Sequence, residues 1–147
     1  MPQPDSLRYE VLEHTADIGI VAYGRELPEL FAAAATGLSA LMVNLDTVQE
    51  QLSRQLALPA PVLGDYEGLL VDWLSEFVYL FDAEHLLFRR YEVDAVTAEG
   101  LRATAWGEPV NVARHILGTA IKAVTYHALE VRQLDDGTWQ ARVILDV

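Results

Sequence analysis

The chain has 147 residues, 52% of them hydrophobic and 22% charged, and a net charge of −12. This composition is typical of a globular protein, and the length predicts one domain over residues 1–147 with a flexible stretch at residues 1–6. The acidic balance argues against direct binding of an RNA backbone, and the lack of cysteine excludes disulfides, zinc–thiolate sites and cysteine nucleophiles. We expect a cytoplasmic protein with no membrane partner, because no apolar run could span a bilayer and the first residues do not form a secretory signal.

The spacing of apolar residues predicts two helices among several strands. Helical spacing covers residues 28–42, with Pro28 in the first turn, and residues 65–81, with Asp65 as the N-cap. β-forming residues predict strands at 7–12, 18–23, 52–58, 87–96, 101–106, 119–133 and 139–145. Loops or turns are expected at 44–51, 107–118 and 135–137. Together these elements predict an α+β fold, a single domain in which a mixed β-sheet packs with two main helices.

Carboxylates stand near both ends of the chain. The first two predicted strands enclose a polar segment that begins at His14 and ends at Asp17, and the last strand ends in Asp146 followed by Val147. A side-chain carboxylate beside a terminal carboxylate offers several anionic oxygens at one point, and hard cations prefer such ligands. If Asp17 lies beside that point, the two ends form a metal site. Alternatively, Asp17 only satisfies the backbone of a turn, and His14 is a hydrogen-bonded structural histidine.

Two further polar groups are candidates for a functional role. Lys122 and His127 belong to a predicted strand with polar residues on both faces, which is unusual for a core strand but also typical of an edge strand. Lys122 could neutralise a carboxylate cluster, and His127 could donate or accept a hydrogen bond near neutral pH. Asp72 and Glu76, one turn apart on the second helix, form either a solvated face or an acidic surface for a partner.

No familiar catalytic motif is present in the sequence. It contains no nucleophile elbow, no phosphate-binding glycine loop and no HExxH pair. We therefore expect a protein that is not itself an enzyme.

Taken in order, these segments resemble the archease family. The matching stretches are Tyr9–Ile20 (YEVLEHTADIGI), Leu30-Phe31 with Ala34-Ala35, Trp73–Asp82, Gly107–Pro109, Lys122–His127 (KAVTYH) and the closing Asp146-Val147. They run over nearly the whole chain, and the combination of HTADIGI, KAVTYH and a next-to-last aspartate is specific. Two features depart from the family pattern: Glu26 stands where Ser or Thr would cap the first helix better, and residues 110–116 are more apolar than expected.

The resemblance implies a function that the residues alone do not. Archeases are protein cofactors of the RtcB-type RNA ligase, which joins a 2′,3′-cyclic-phosphate or 3′-phosphate end to a 5′-hydroxyl in tRNA splicing or RNA repair. They promote guanylylation of the ligase and multiple turnover, so this chain would meet RNA only through the ligase. The resemblance also implies a divalent cation, Ca²⁺ with Mg²⁺ or Mn²⁺ as alternatives, held by Asp17, Asp146 and Val147 with Lys122 beside the site.

Two rival functions use the same residues differently. A metal-dependent phosphoester hydrolase would use the carboxylates for its metal and Lys122 or His127 as acid or base. A chaperone-like binding module for an RNA-modifying enzyme would not need the metal carboxylates at all. The sequence predicts no oligomeric state.

Overall fold

The computed structural model describes residues 7–13 and 17–147, except for the side chain of Glu13. Within these residues the elements are β1 (Arg8–Glu13), β2 (Asp17–Gly24), α1 (Leu27–Met42), β3 (Leu52–Pro59), α2 (Tyr66–Glu84), β4 (Leu86–Thr97), β5 (Gly100–Pro109), β6 (Ala123–Val124), β7 (Glu130–Gln133) and β8 (Trp139–Asp146). A short 3-10 helix, Leu45–Thr47, follows α1 inside the segment expected to be a loop. Neither α-helix in this part of the chain is long and apolar enough to cross a membrane.

The strands form two sheets. The first has the order β1-β2-β8-β6, with β7 also paired to β8, and the second has the order β3-β5-β4. Every pairing between the described strands is antiparallel. The α+β class with two main helices is confirmed, but the strands are divided between two antiparallel sheets where the sequence suggested one mixed sheet.

Helix α1 is buried because small residues let its backbone approach both sheets. Ala33, Ala34 and Ala35 are completely buried, and the helix packs against β2 and β4. Pro28 lies in the first turn as expected, whereas the N-cap residue Glu26 makes no side-chain hydrogen bond to the helix. The helix therefore depends on its tertiary packing more than on its cap.

Helix α2 begins and ends with specific capping contacts. The Asp65 carboxylate accepts a hydrogen bond of 2.8 Å from the Gly68 N–H, which confirms the predicted N-cap. At the other end, His85 has a φ of 57°, and its N–H donates to the carbonyls of Leu80 and Phe81. This left-handed residue ends the helix and leads the chain directly into β4.

The core lies between the two helices and the sheets, with Trp73 at its centre. This side chain has no solvent exposure, and its Nε1–H donates to the Phe31 carbonyl at 2.9 Å. Its ring packs edge-on against Phe77, with 4.7 Å between the ring centroids. The indole thus joins α2 to α1 through its hydrogen bond to Phe31.

The long strand predicted at 119–133 is wrong. Only β6 and β7 are extended there, and a turn separates them in which Ala128 has a φ of 52° and the Leu129 N–H donates to the Tyr126 carbonyl. β-branched residues favoured a strand, but β propensity depends strongly on the available pairing partners. The tight turn predicted between the last two strands, in contrast, is confirmed: it joins β7 to β8, and Gly137 there has a φ of 91°.

Candidate metal centre

Asp17, the first residue of β2, lies directly opposite Asp146, the last residue of β8. The two are Cα partners in the antiparallel register, which continues along both strands to the pair Gly24 and Trp139. Side chains that face each other in such a pair have Cβ atoms about 4.5–5.5 Å apart. Two carboxylates at this separation can reach one cation between them.

Both carboxylates lie on the outer face of the first sheet. Alternate residues of β2 and β8 enter the core, including Ile20 on β2 and Val143 and Leu145 on β8. Because side chains alternate between the two faces of a strand, Asp17 and Asp146 point away from the core. Asp17 is partly buried and Asp146 is exposed, so an ion arriving from solvent has access to the pair.

The carboxylate pair has no basic partner within the described residues. No Lys, Arg or His of residues 7–13 or 17–147 forms an ion pair with Asp17 or Asp146. Like charges placed directly opposite each other destabilise an antiparallel pair, on the order of a few tenths of a kcal/mol. A bound cation would reverse the sign of this interaction.

Strand β6, which pairs with β8, begins directly after Lys122 and so brings this residue to the end of the sheet where Asp146 lies. Ala123 on β6 is the Cα partner of Asp146, on the side away from Asp17. The Lys122 N–H donates to the Asp146 carbonyl at 2.8 Å, and the side chain of Lys122 is exposed. The backbone of Lys122 thus fixes Asp146 in place, while its ammonium remains available on the surface nearby.

An apolar row adjoins the carboxylates along the outer face. Gly19 on β2 is the Cα partner of Ile144 on β8 and of Leu12 on β1. A Cβ atom placed on Gly19 would lie 3.2 Å from both Ile144 Cδ1 and Leu12 Cβ, so these two side chains nearly close over the glycine. The carboxylates therefore have an apolar neighbour on one side of the outer face.

Val147 follows Asp146 and is held against the protein. Its side chain is partly buried and packs on the main hydrophobic core. This packing agrees with the apolar run of the last strand, which continues to Val147. This position keeps Val147 beside the end of β8.

The structure does not bring all of the predicted site residues together. His14 lies outside the described residues. His127 is exposed in the turn after β6, and its backbone N–H donates a hydrogen bond of 3.3 Å to Thr125 Oγ1. Asp72 is exposed and Glu76 partly buried on α2, and neither has a described contact with Asp17 or Asp146.

The donor set available to a metal is small. Among the described residues there is no group of three or more His, Cys, Asp or Glu side chains that could hold an ion. Asp17 and Asp146 supply two carboxylates, and the Val147 carboxylate would add a third oxygen donor. An all-oxygen set of this kind fits Ca²⁺, Mg²⁺ or Mn²⁺ and does not fit a thiophilic metal.

A second polar cluster, centred on Glu108 in β5, was not found from the sequence. Glu108 is 1% exposed, and its Oε2 accepts hydrogen bonds from Gln49 N–H at 2.6 Å and from Arg114 Nη1 at 2.8 Å. The Arg114 Nη2 donates to the Glu108 Oε1 at 2.6 Å. These hydrogen bonds from Arg114, opposed by burial, lower the pKa of Glu108 from 4.5 to about 2.

His115 completes the cluster as a neutral side chain. Its Nδ1 accepts a hydrogen bond of 2.8 Å from the Asn111 N–H, so this nitrogen carries no proton. Its Nε2, 2.8 Å from the Glu108 Oε2, must then be the protonated nitrogen and donates to the carboxylate. The cluster anchors the segment after β5. In the sequence, only the polar pair Arg114-His115 within an apolar stretch marks it, and that pair does not reveal Glu108 as the buried partner.

Comparison with known proteins identifies the family. The sequence profile of the Archease protein family matches residues 9–147. The chain belongs to the archease family.

Archease relatives and a solved structure match the chain along nearly its full length. The chain is 40% identical over 144 residues to the protein archease of Methanosarcina acetivorans, covering 95% of this chain and 96% of that protein. It is 37% identical over 143 residues to the protein archease of Pyrococcus abyssi, covering 95% and 99%. The solution structure of Methanobacterium thermoautotrophicum protein 1598 superposes with a TM-score of 0.76 at 32% identity, covering 95% of this chain and 98% of the other. Membership of the archease family supports a role as a non-enzymatic protein cofactor that acts on a partner protein.

Proposed function

We propose that this protein activates an RtcB-type RNA ligase by means of a divalent cation held between Asp17 and Asp146. The protein would promote guanylylation of the ligase and allow multiple turnover in the cytoplasm, during tRNA splicing or RNA repair. The opposition of Asp17 and Asp146 across β2 and β8 carries the proposal, because two carboxylates in register, with no basic partner among the described residues, favour a shared cation. The Val147 carboxylate would be the third ligand, and Ca²⁺ is the first candidate ion.

The charge distribution supports contact with a protein more than with RNA. Within the part of the chain that the structure describes, seven of the ten basic residues form ion pairs with acidic side chains. Even the adjacent Arg89 and Arg90 are both paired with Glu50. Few cations remain for phosphate contacts, whereas a surface with a net charge of −12 suits a basic protein such as one that binds RNA.

The test is a multiple-turnover ligation assay. The RtcB-type ligase of the same organism is mixed with GTP, Mn²⁺ and an excess of RNA with 2′,3′-cyclic-phosphate ends, with and without this protein. The proposal predicts many ligation events per ligase only when the protein is present. Equal turnover in both reactions, with an active ligase, would contradict it.

The purified protein alone provides a control for the alternative functions. A hydrolase would release phosphate from a phosphoester in the absence of the ligase, which our proposal does not predict. A chaperone-like module would keep its effect after loss of either carboxylate, whereas the proposed activator would lose it.

A further inference from the structure

A groove lies at the carboxyl-terminal end of α1, away from the elements that hold Asp17 and Asp146 in register. Its volume is about 470 Å³. The residues that line it are Ala40, Val43, Asn44, Leu45, Asp46, Ile116, Leu117 and Gly118. One wall is thus the end of α1 with the 3-10 helix, and the other is the segment that follows His115.

The α1 wall of this groove is electronegative. The Asn44 N–H, which would reach the Ala40 carbonyl if the helix continued, donates instead to the Ile116 carbonyl at 2.8 Å. The last turn of α1 contains no basic residue, so the helix itself supplies no cation to offset its negative dipole end, although its Leu41 and Met42 carbonyls accept backbone N–H groups. Asp46 is exposed on the rim and forms no ion pair with any described residue.

The opposite wall is apolar and exposed. Ile116 is 60% exposed and Leu117 is 44% exposed, although both lie in a segment that the backbone holds firmly. The Gly118 N–H donates to the Met42 carbonyl at 2.8 Å, and the Thr119 N–H donates to the Leu41 carbonyl at 2.7 Å. These bonds fix the backbone of the segment against the end of α1, while the two apolar side chains remain exposed.

The buried cluster around Glu108 also fixes the segment that carries Ile116 and Leu117, through the two residues that precede it. Arg114 Nη1 donates to the Thr47 carbonyl at 3.1 Å as well as to Glu108, so the arginine joins β5 to the 3-10 helix. His115, next to Ile116, is held between Asn111 and Glu108. An exposed apolar wall that is fixed in this way is preorganised, which reduces the entropy lost when a partner binds.

We propose that this groove binds a segment of a partner protein in which an Arg or Lys is flanked by aliphatic residues. The cationic head would meet Asp46 and the end of α1, while the methylene stem and the aliphatic neighbours would pack on Ile116 and Leu117. The complementarity of charge selects a basic segment over an acidic or neutral one. That the segment belongs to the RNA ligase rests on the proposed function.

The groove is tested first without the ligase. The ¹⁵N-labelled protein is titrated with the capped peptide Gly-Leu-Arg-Leu-Gly and, as a control, with Gly-Leu-Glu-Leu-Gly, and amide shifts are followed by NMR. We expect the arginine peptide to move the amides of residues 44–46 and 116–118, and the glutamate peptide to leave them in place. Shifts spread over the acidic surface, or no shifts in the groove, would overturn the proposal.

Matched variants separate the groove from general electrostatics. Asp46→Lys and Ile116→Ser should each weaken binding of the arginine peptide about tenfold, a loss typical of one buried contact. Asp72→Lys makes the same charge change on α2, and Val62→Ser truncates a side chain that is 66% exposed, so both should bind the peptide almost as the wild type does. Amide spectra of each variant show whether the fold is intact. Equal losses in the groove variants and their controls would overturn the proposal.

A ligase assay then distinguishes this proposal from the proposed function. With Ile116→Ser, the concentration needed for half-maximal stimulation of the ligase should rise about tenfold while maximal stimulation is retained. An unchanged half-maximal concentration would show that the ligase does not use the groove. If the wild-type protein fails to stimulate the ligase, the proposed function fails, and the peptide titration still decides the chemistry of the groove.

Discussion

Glu108 and Arg114 form a bidentate ion pair in which the Glu108 side chain is buried and the Arg114 side chain is 37% exposed. Because Arg114 lowers the pKa of Glu108 from 4.5 to about 2, folding is favoured by ionisation of this carboxyl group. The contribution is complete above about pH 4.5, the ordinary pKa, and is lost as the pH falls through the folded-state value.

Glu108→Gln should therefore destabilise the protein in a pH-dependent way. At pH 7 we expect a loss of about 1–3 kcal/mol in the free energy of unfolding, since a charge-assisted hydrogen-bond network is weakened. The loss should shrink toward pH 2, where the wild-type carboxyl group is also becoming neutral. Urea unfolding at several pH values measures both, and the exposed Glu99→Gln provides the control. A pH-independent difference between wild type and Glu108→Gln would contradict this account.

Trp73→Ala should destabilise the fold without acting on the metal centre directly. The indole is fully buried, packs against Phe77 and donates to the Phe31 carbonyl, so its removal leaves a cavity and loses the hydrogen bond between the two helices. We expect a loss of about 3–5 kcal/mol, measured by urea unfolding followed by far-ultraviolet circular dichroism. A loss below about 1 kcal/mol would mean that the ring is not part of the core.

Calcium should stabilise the wild type but not Asp146→Asn. In EDTA the variant should be as stable as the wild type or more stable by up to about 1 kcal/mol, because the repulsion with Asp17 is removed. At a Ca²⁺ concentration 100 times the Kd, the wild type should gain about 2.7 kcal/mol, and the variant much less. Thermal melts with EDTA and with Ca²⁺ test this, with Asp72→Asn as a control of equal charge change. An equal gain in stability with Ca²⁺ in the wild type and in Asp146→Asn would show that Asp146 is not a ligand.

Residues added after Val147 should weaken metal binding. An extension converts the Val147 carboxylate into a peptide carbonyl and so removes a negative charge from the proposed ligand set. A two-residue Gly-Ser extension should raise the Kd for Ca²⁺ measured by calorimetry, while the same two residues added before Met1 should not. Identical affinities would show that Val147 is not a ligand.

The elements with strong local signals could be predicted from the sequence, and those that depend on pairing partners could not. Asp65 as an N-cap, the apolar face around Trp73 and the turn at Gly137 follow from local chemistry, and all three are found in the structure. The prediction of one strand over residues 119–133 was wrong because β-forming residues do not reveal whether a neighbouring strand is available for pairing. The buried cluster of Glu108 was missed because its partners meet only after the chain turns back beyond β5.

In the candidate site, too, local features could be predicted from the sequence, and the pairing of the strands could not. That Asp17 and Asp146 stand at strand ends could be predicted from the apolar runs beside them, and the archease resemblance placed them together. Their register could not be derived, because the alternation of side chains along a strand fixes the face of each residue but not its partner. Only the observed pairing of β2 with β8 puts the two carboxylates directly opposite each other.

The most direct test of the account is the number of ligation events per RtcB-type ligase in the presence of Asp17→Asn, with wild type and Asp72→Asn run in parallel at equal, saturating concentrations. Circular dichroism first establishes that all three proteins are folded. If a cation between Asp17 and Asp146 is needed for activation, the wild type and Asp72→Asn should support many turnovers, and Asp17→Asn should leave the ligase near the level it reaches alone. Full turnover with folded Asp17→Asn would contradict the central claim.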